Sequence, residues 1–138
     1  DDKLDVDVAL LHFYPGMKPG VLENCVREAH GVVLAGTGLG HTAHDLIPVI
    51  HRATRDGIPV VMTTQTLQGR VSMRVYDTGR DLIKAGVISG EDLLPEVAYV
   101  KLMWVLGHTR DLAGVAKAMS TSVAGELNPR IGLDECSD

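Results

Sequence analysis

The sequence predicts an α/β fold of three layers, αβα, in which helices cover both faces of a small parallel sheet. Three short apolar runs, at residues 6–13, 31–35 and 58–64, have the length and composition of buried strands. Segments with apolar residues at helical spacing separate these runs, and the connections are short. The predicted order is therefore β-α-β-α-β, a Rossmann-like arrangement followed by a helical second half.

The helices of the first half are predicted from proline and glycine positions. Pro19 fits the first turn of a helix whose apolar residues repeat at helical spacing up to Ala29. Pro48 is tolerated only near the first turn of the next helix, so Asp45 is predicted to be its N-cap. Gly57 is predicted to end that helix before the third strand begins.

The second half carries helix signals from residue 78 onward. Thr78 and Ser89 each precede an aspartate by three residues, which resembles the capping box that opens a helix. Residues 96–106 are apolar nearly all round the predicted helix, which predicts that this helix is buried. Gly107 ends this helix, and Thr109 is predicted to open the last one.

Length and charge limit the classes of protein to which the chain can belong. Its 138 residues suit one domain, which we assign to residues 1–127, followed by a loose acidic C-terminal tail at 128–138. The net charge of −5, without a basic run, argues against direct nucleic-acid binding, and no apolar stretch approaches a membrane span. The opening Asp1, without Met, suggests a cut made upstream of a domain.

Candidate binding residues lie where the strands end, because ligands collect beyond the carboxyl ends of parallel strands. Alternating glycines after the second strand let the backbone approach a ligand or a neighbouring chain closely. The third strand ends in hydroxyl and amide side chains, which either bind a polar ligand or satisfy the loop backbone. The candidate substrate-adjacent or interface residues are Gly36, Thr37, Gly38, Leu39, Gly40, His41, Thr63, Thr64 and Gln65.

Three other kinds of site are disfavoured. The glycine spacing is GxGxG, not the GxGxxG of dinucleotide sites. His41, His44 and Asp45 lack a further partner at metal-ligand spacing, so no metal is predicted. No GxSxG motif or Ser–His–Asp arrangement occurs, so no catalytic residue is predicted in this chain. The residues alone therefore describe a binding edge without a nucleophile.

Several long motifs in the same order carry a family resemblance. They are GTGLGH at 36–41, TTQ at 63–65, GRVSMRVYDTGRDL at 69–82 and LLPEVAYVKLMWVLG at 93–107. On these, the chain resembles the C-terminal domain of asparaginase/glutaminase amidohydrolases, and within that family the D subunits of archaeal glutamyl-tRNA(Gln) amidotransferases. The resemblance implies a preceding domain that carries the nucleophilic threonine. The GGTI and TDT motifs of that domain do not occur here, so this chain alone is expected to be inactive.

The resemblance also implies a function and partners. Such a D subunit hydrolyses glutamine to release ammonia, which the E subunit of the amidotransferase uses to amidate glutamate on tRNA in the cytoplasm. The implied partners are its own N-terminal catalytic domain, a second copy in a homodimer and the E subunit. No cofactor is implied for this domain, since ATP and Mg would belong to the E subunit. By the same resemblance, His41 is expected to occupy the position of a polar residue near the substrate amino group. A plain archaeal L-asparaginase and a stand-alone amino-acid-binding regulatory module remain as alternatives.

Overall fold

The computed structural model describes residues 3–14, 16–36, 45–64, 83–90 and 93–121. The first half of the chain alternates strands and helices, and the second half adds a short strand and two helices. In chain order the elements are β1 Val8–His12, α1 Pro19–Glu28, β2 Gly31–Gly36, α2 Ile47–Arg55, β3 Val60–Thr64, β4 Ile88–Ser89, α3 Pro95–Leu106 and α4 Leu112–Met119.

The strands form one parallel sheet in the order β1-β2-β3-β4. In its register Leu10 pairs with Val33, and Val33 pairs with Val61. The side chains of β2 from Val32 to Ala35 are fully buried. Continuous apolar runs are typical of parallel strands that are covered on both faces, so the predicted β-α-β-α-β core is confirmed.

Side chains that alternate along the strands divide the core into two apolar clusters. Val32 and Leu34 of β2 pack in one cluster with residues of α1 and α2. Val33 and Val61 point to the opposite face and pack in the other cluster with residues of α3 and α4. The two clusters make the three-layer αβα arrangement that the sequence predicted.

The short strand β4 was not predicted. Ser89 lies within β4, where Met62 pairs with it, so its predicted role as a helix cap is wrong. Helix α3 begins at Pro95 instead, with Leu94 as its N-cap. A strand of two residues has no hydrophobic period to read, and its existence depends on pairing with a distant segment.

Two further helix starts differ from prediction. The N-cap of α2 is Leu46, without a side-chain hydrogen bond, so Asp45 does not have the predicted role. The N-cap of α4 is Asp111, whose carboxylate accepts a hydrogen bond of 3.0 Å from the Gly114 amide, two residues beyond Thr109. The predicted stop at Gly57 is confirmed, since its φ of 86° suits glycine after a helix.

Helix α3 is buried on one side only. Its inward side includes Ala98, Leu102 and Val105, each 1% exposed or less, whereas Val100 on the outward side is 55% exposed. Helix α3 is therefore buried as predicted along the side that packs on the sheet, whereas Val100 is exposed. Among the described helices, none has the length and apolar character needed to cross a bilayer. The predicted boundary between residues 127 and 128 lies outside the described residues.

Candidate functional site

The carboxyl edge of the sheet brings the ends of β2 and β3 together. Gly36 pairs with Thr64 in the parallel register, and Ala35 pairs with both Thr63 and His12. Two groups of predicted site residues therefore meet at one edge, because parallel strands end on the same side. The other predicted site residues, Thr37, Gly38, Leu39, Gly40, His41 and Gln65, lie outside the described residues.

Thr63 contributes a buried polar atom to this edge. Its side chain is 1% exposed, and by strand alternation it lies on the same face as Val61, towards α3 and α4. The Oγ1 atom has no hydrogen-bond partner. Among the described residues, it is the only buried side-chain oxygen or nitrogen that lacks one. The Thr63 hydroxyl therefore makes no hydrogen bond to the loop backbone, and an unpaired buried hydroxyl costs free energy.

The loop after β4 packs directly on Thr63. A Cβ atom at Gly90 would lie 2.6 Å from Cγ2 of Thr63 and 3.0 Å from the carbonyl oxygen of Met62. The Gly90 amide donates a hydrogen bond of 2.8 Å to that same carbonyl. Glycine at position 90 therefore lets the chain pass over the end of β3 and cover the Thr63 side chain.

This edge has polar groups but lacks an activated nucleophile among the residues described. No general base accepts the proton of the Thr63 hydroxyl, because Oγ1 has no partner. Burial raises the pKa of the Cys25 thiol, which is opposite to the change that makes a cysteine nucleophilic. Among the described residues, this edge therefore offers hydroxyl and backbone groups but no activated nucleophile.

A polar cluster that the sequence did not predict lies at the opposite edge of the sheet. Ligand atoms of Asp5, Asp7 and His30 lie within 4.8 Å of one another, which is a geometry a metal ion could use. However, Arg110 donates a hydrogen bond to the Asp5 carboxylate, and the Nη2 atom of Arg110 lies 3.3 Å from Nδ1 of His30. The guanidinium binds the carboxylate oxygen that a metal ion would need, so the cluster is an ion-pair network.

The Asp5 carboxylate is held in its charged form. Its side chain is 9% exposed, and this burial opposes ionisation. The Asp7 amide donates to it at 3.0 Å, and His30 and Arg110 also lie against it. Together these interactions outweigh burial and hold the pKa of Asp5 below its ordinary value. The alternation of Asp5 and Asp7 was the one signal for the cluster in the sequence. The partners of Asp5, His30 and Arg110, lie far from it along the chain.

Lys101 is a charged residue within the core face of α3. It is 7% exposed, and its Nζ atom donates hydrogen bonds of 2.6 Å to the Thr121 carbonyl and 3.3 Å to the Met119 carbonyl. These carbonyls lie at the C-terminal end of α4, where a cation is favourable. Lys101 therefore holds α4 against α3. Glu96, the acidic residue at the start of the same helix, is exposed.

Comparisons with known proteins agree with this architecture. The family model described as the glutaminase/asparaginase C-terminal domain matches residues 7–119. The D subunit of glutamyl-tRNA(Gln) amidotransferase from Pyrococcus horikoshii is 55% identical over 135 residues, covering 97% of this chain and 31% of the relative. The D subunit from Pyrococcus furiosus is 57% identical over 130 residues, covering 94% of this chain and 30% of the relative. The chain thus spans about three-tenths of the length of these relatives.

Two solved structures show the same fold. The thermostable L-asparaginase of Thermococcus kodakarensis superposes with a TM-score of 0.85 at 41% identity, covering 93% of this chain and 40% of that one. L-asparaginase I of Vibrio cholerae gives a TM-score of 0.77 at 31% identity, covering 88% of this chain and 38% of that one. The resemblance identified from the sequence motifs is confirmed. The chain belongs to the glutaminase/asparaginase C-terminal domain family.

Proposed function

We propose that this chain is the C-terminal domain of an ammonia-producing glutamine amidohydrolase, the D subunit of a glutamyl-tRNA(Gln) amidotransferase. The observation that carries the proposal is the identity of 55% with such a protein over 97% of the chain. The described residues of the carboxyl edge include no activated nucleophile, which supports an accessory role for the domain. The reactive hydroxyl would belong to a preceding domain of the full-length protein.

In this role the carboxyl edge of the sheet forms a wall of the substrate pocket. Gly36, Thr63 and Thr64 meet at this edge. The loop at 37–41 and Gln65 continue from these strand ends and complete the proposed wall. The chain by itself would hydrolyse no amide.

The proposal includes several partners. The domain would pack on its own N-terminal catalytic domain, pair with a second copy and assemble with the E subunit of the amidotransferase in the cytoplasm. ATP and Mg would bind to the E subunit and not to this domain. Nucleic acid would contact other parts of the complex, because the net charge of −5 includes no basic run.

A plain L-asparaginase is the second candidate, and a specific observation favours it. The L-asparaginase of Thermococcus kodakarensis superposes over 93% of the chain with a TM-score of 0.85. Both candidates use the same fold and the same reaction class, so they differ in the preferred substrate, glutamine or asparagine. The identity of 41% with that asparaginase is lower than the 55% with the amidotransferase of Pyrococcus horikoshii, which favours glutamine.

The experiment is an ammonia-release assay with glutamine and asparagine. The full-length protein that contains this chain, with and without the E subunit and glutamylated tRNA(Gln), is compared with the chain alone. We expect the full-length protein to hydrolyse glutamine faster than asparagine and the chain alone to release no ammonia. Preference for asparagine would support the asparaginase, and robust turnover by the chain alone would refute the accessory role.

Calorimetry separates both candidates from a stand-alone regulatory module. Asn, Asp, Gln and Glu are titrated into the isolated chain. A domain that forms one wall of a pocket is expected to show no binding, because most of the contacts would come from elsewhere. Micromolar affinity for any of these amino acids would favour the regulatory module.

A further inference from the structure

The N-terminal segment at residues 3–7, here called the entry strap, crosses the end of α3 before β1 begins. The Asp5 amide donates a hydrogen bond of 3.0 Å to the carbonyl of Met103 in α3. The Asp7 carbonyl accepts a hydrogen bond of 2.6 Å from the amide of His30, the residue that precedes β2. The backbone of the entry strap is therefore bound both to a helix and to the turn that leads into a strand.

Gly107, at the end of α3, leaves room for the entry strap. A Cβ atom at this position would lie 2.3 Å from the carbonyl oxygen of Lys3 and 3.1 Å from the amide nitrogen of Leu4. Both neighbours are backbone atoms, so they could move away only if the strap itself moved. The φ of Gly107 is −70° and its ψ is −14°, a conformation that any residue adopts. Glycine is therefore required here for space, so that the strap can lie against the helix.

Among its side chains, the entry strap is attached mainly through Asp5. The Asp5 side chain is 9% exposed, and its carboxylate lies 2.8 Å from Nδ1 of His30 and accepts a hydrogen bond from Arg110. Leu4 and Val6, on either side of it, are 50% and 70% exposed, so they bury little apolar surface. Hydrogen bonds to a charged group are stronger than neutral ones. The carboxylate of Asp5 therefore holds the strap more firmly than its apolar side chains do.

The entry strap lies at the amino edge of the sheet, opposite to the carboxyl edge where Gly36 pairs with Thr64. It leads into β1 at Val8, which pairs with Gly31, the first residue of β2. The strands β1 and β2 have 5 and 6 residues, and at about 3.3 Å per residue the two edges are roughly 15–20 Å apart. An effect of the strap on the carboxyl edge would therefore come from the position of the whole domain and not from direct contact.

We infer that the entry strap fixes the direction from which the preceding polypeptide enters this domain, and that Asp5 acts through the strap as a positioning residue for amide hydrolysis. This rests on the proposed function, in which another domain supplies the reactive hydroxyl and this domain supplies a wall of the pocket. A displacement of about 1 Å far from the reacting atoms is enough to impair an enzyme. Release of Asp5 would leave the sheet folded but would allow the wall to move.

The test uses the full-length protein that contains this chain, with two variants that release the strap in different ways. Asp5→Asn keeps the size of the side chain and removes its charge. Gly107→Ala keeps every charge and adds a methyl group that displaces the Lys3 carbonyl. Asp7→Asn is the control for the first variant, because the Asp7 side chain is 61% exposed and the amide that binds Asp5 is retained. Gly20→Ala is the control for the second, because no atom lies within 4 Å of the added methyl group.

Hydrogen exchange followed by mass spectrometry measures how firmly the strap is attached. Both strap variants are expected to speed amide exchange in the peptide that contains residues 3–7 by roughly tenfold, while the peptide that contains β2 keeps the wild-type rate. The two controls are expected to change neither peptide. Wild-type exchange of residues 3–7 in both strap variants would overturn the inference. Faster exchange of β2 in both would also overturn it, because the strap would then serve the whole fold.

The kinetics of amide hydrolysis separate positioning from a loss of folded protein. Unfolding of part of the sample lowers the apparent kcat and leaves the KM for glutamine unchanged. A displaced pocket wall weakens contacts with the bound substrate, so we expect both strap variants to raise the KM for glutamine several-fold. The two controls should keep the wild-type KM. A strap that exchanges faster while KM stays at the wild-type value would refute the positioning role of Asp5.

The activity of the wild-type protein distinguishes a failure of this inference from a failure of the proposed function. If the wild-type protein hydrolyses glutamine and the strap variants keep its exchange rates or its KM, only the inference about the strap is wrong. If the wild-type protein hydrolyses neither glutamine nor asparagine, the proposed function is wrong and the positioning role is refuted with it.

Discussion

The carboxylate of Asp5 lies 2.8 Å from Nδ1 of His30, although 25 positions separate the two residues in the sequence. Arg110 donates to the same carboxylate across a separation of 105 positions. The network therefore joins the N-terminal segment to the turn before β2 and to the turn after α3. It anchors the N-terminal segment at the amino edge of the sheet.

The first prediction concerns the pH dependence of this network. The pKa of Asp5 is lowered in the folded protein. The ionised Asp5 carboxylate therefore stabilises the folded protein fully above the pKa of an unfolded aspartate, about 3.9. This stabilisation is lost as the pH falls through the lower pKa of Asp5 in the folded protein. At pH 7, Asp5→Asn is expected to lower the free energy of unfolding by about 1–2 kcal/mol, since it weakens hydrogen bonds to a charged group.

Thermal and urea unfolding at pH 7 and near pH 3 would measure this difference. The destabilisation by Asp5→Asn should shrink at the lower pH, where the wild-type carboxylate begins to take up a proton. Glu28→Gln removes an exposed carboxylate and serves as the control, with little effect on stability at either pH. An effect of Asp5→Asn that stays equal at both values would contradict the prediction.

The second prediction concerns the close approach at Gly90. Gly90→Ala would place a Cβ atom 2.6 Å from Cγ2 of Thr63, so we expect destabilisation by about 1–3 kcal/mol from overpacking. Thr63→Ser removes that methyl group and should rescue part of the loss in the double variant. Gly20→Ala in α1, where no atom lies within 4 Å of the added methyl, should be neutral or stabilising. Denaturant unfolding of these variants measures the coupling.

The third prediction concerns the unpaired hydroxyl of Thr63. Thr63→Val keeps the branched shape and removes a buried oxygen that has no hydrogen-bond partner. We expect the free energy of unfolding to rise by about 1 kcal/mol, because the desolvation penalty of that oxygen disappears. Lower stability of the variant domain in calorimetry would show that the fold itself uses the hydroxyl.

The fourth prediction concerns the buried ammonium of Lys101. Lys101→Met keeps much of the side-chain volume but removes the donor to the Met119 and Thr121 carbonyls. Loss of charge-assisted hydrogen bonds at the end of α4 should cost about 2–3 kcal/mol. Lys117→Met, on the exposed side of α4, removes the same charge without a buried partner and should cost little. Similar Tm values for the two variants would refute the capping role.

The predicted core was correct where its signal was local. The apolar runs of β2 and β3 and the positions of Pro19 and Gly57 are properties of neighbouring residues, and the structure confirms the elements that they indicate. The motifs from residue 36 to residue 107 carried the family resemblance, and the comparisons confirm it. For the candidate site, the sequence correctly placed Gly36 and Thr63 at one edge, because their strands are parallel.

The misassigned elements depended on contacts that no window of sequence contains. Ser89 has the spacing from Asp92 that is typical of a helix cap, yet it pairs with Met62 in β4. Asp45 has the chemistry of an N-cap, but the N-cap of α2 lies one residue later, at Leu46. In both cases a local propensity of about 1 kcal/mol yielded to tertiary packing.

The sequence by itself determined the fold class, the β-α-β-α-β order of the first half, and the family. It also determined that the family's nucleophile motifs do not occur in this chain. These follow from hydrophobic period, turn residues and motifs, all of which are written along the chain. Only the tertiary structure decided that Asp5 binds His30 and Arg110, that Gly90 packs on Thr63 and that α3 leaves Val100 uncovered. Such contacts join distant segments, and their geometry exists only when helices have packed on both faces of the sheet.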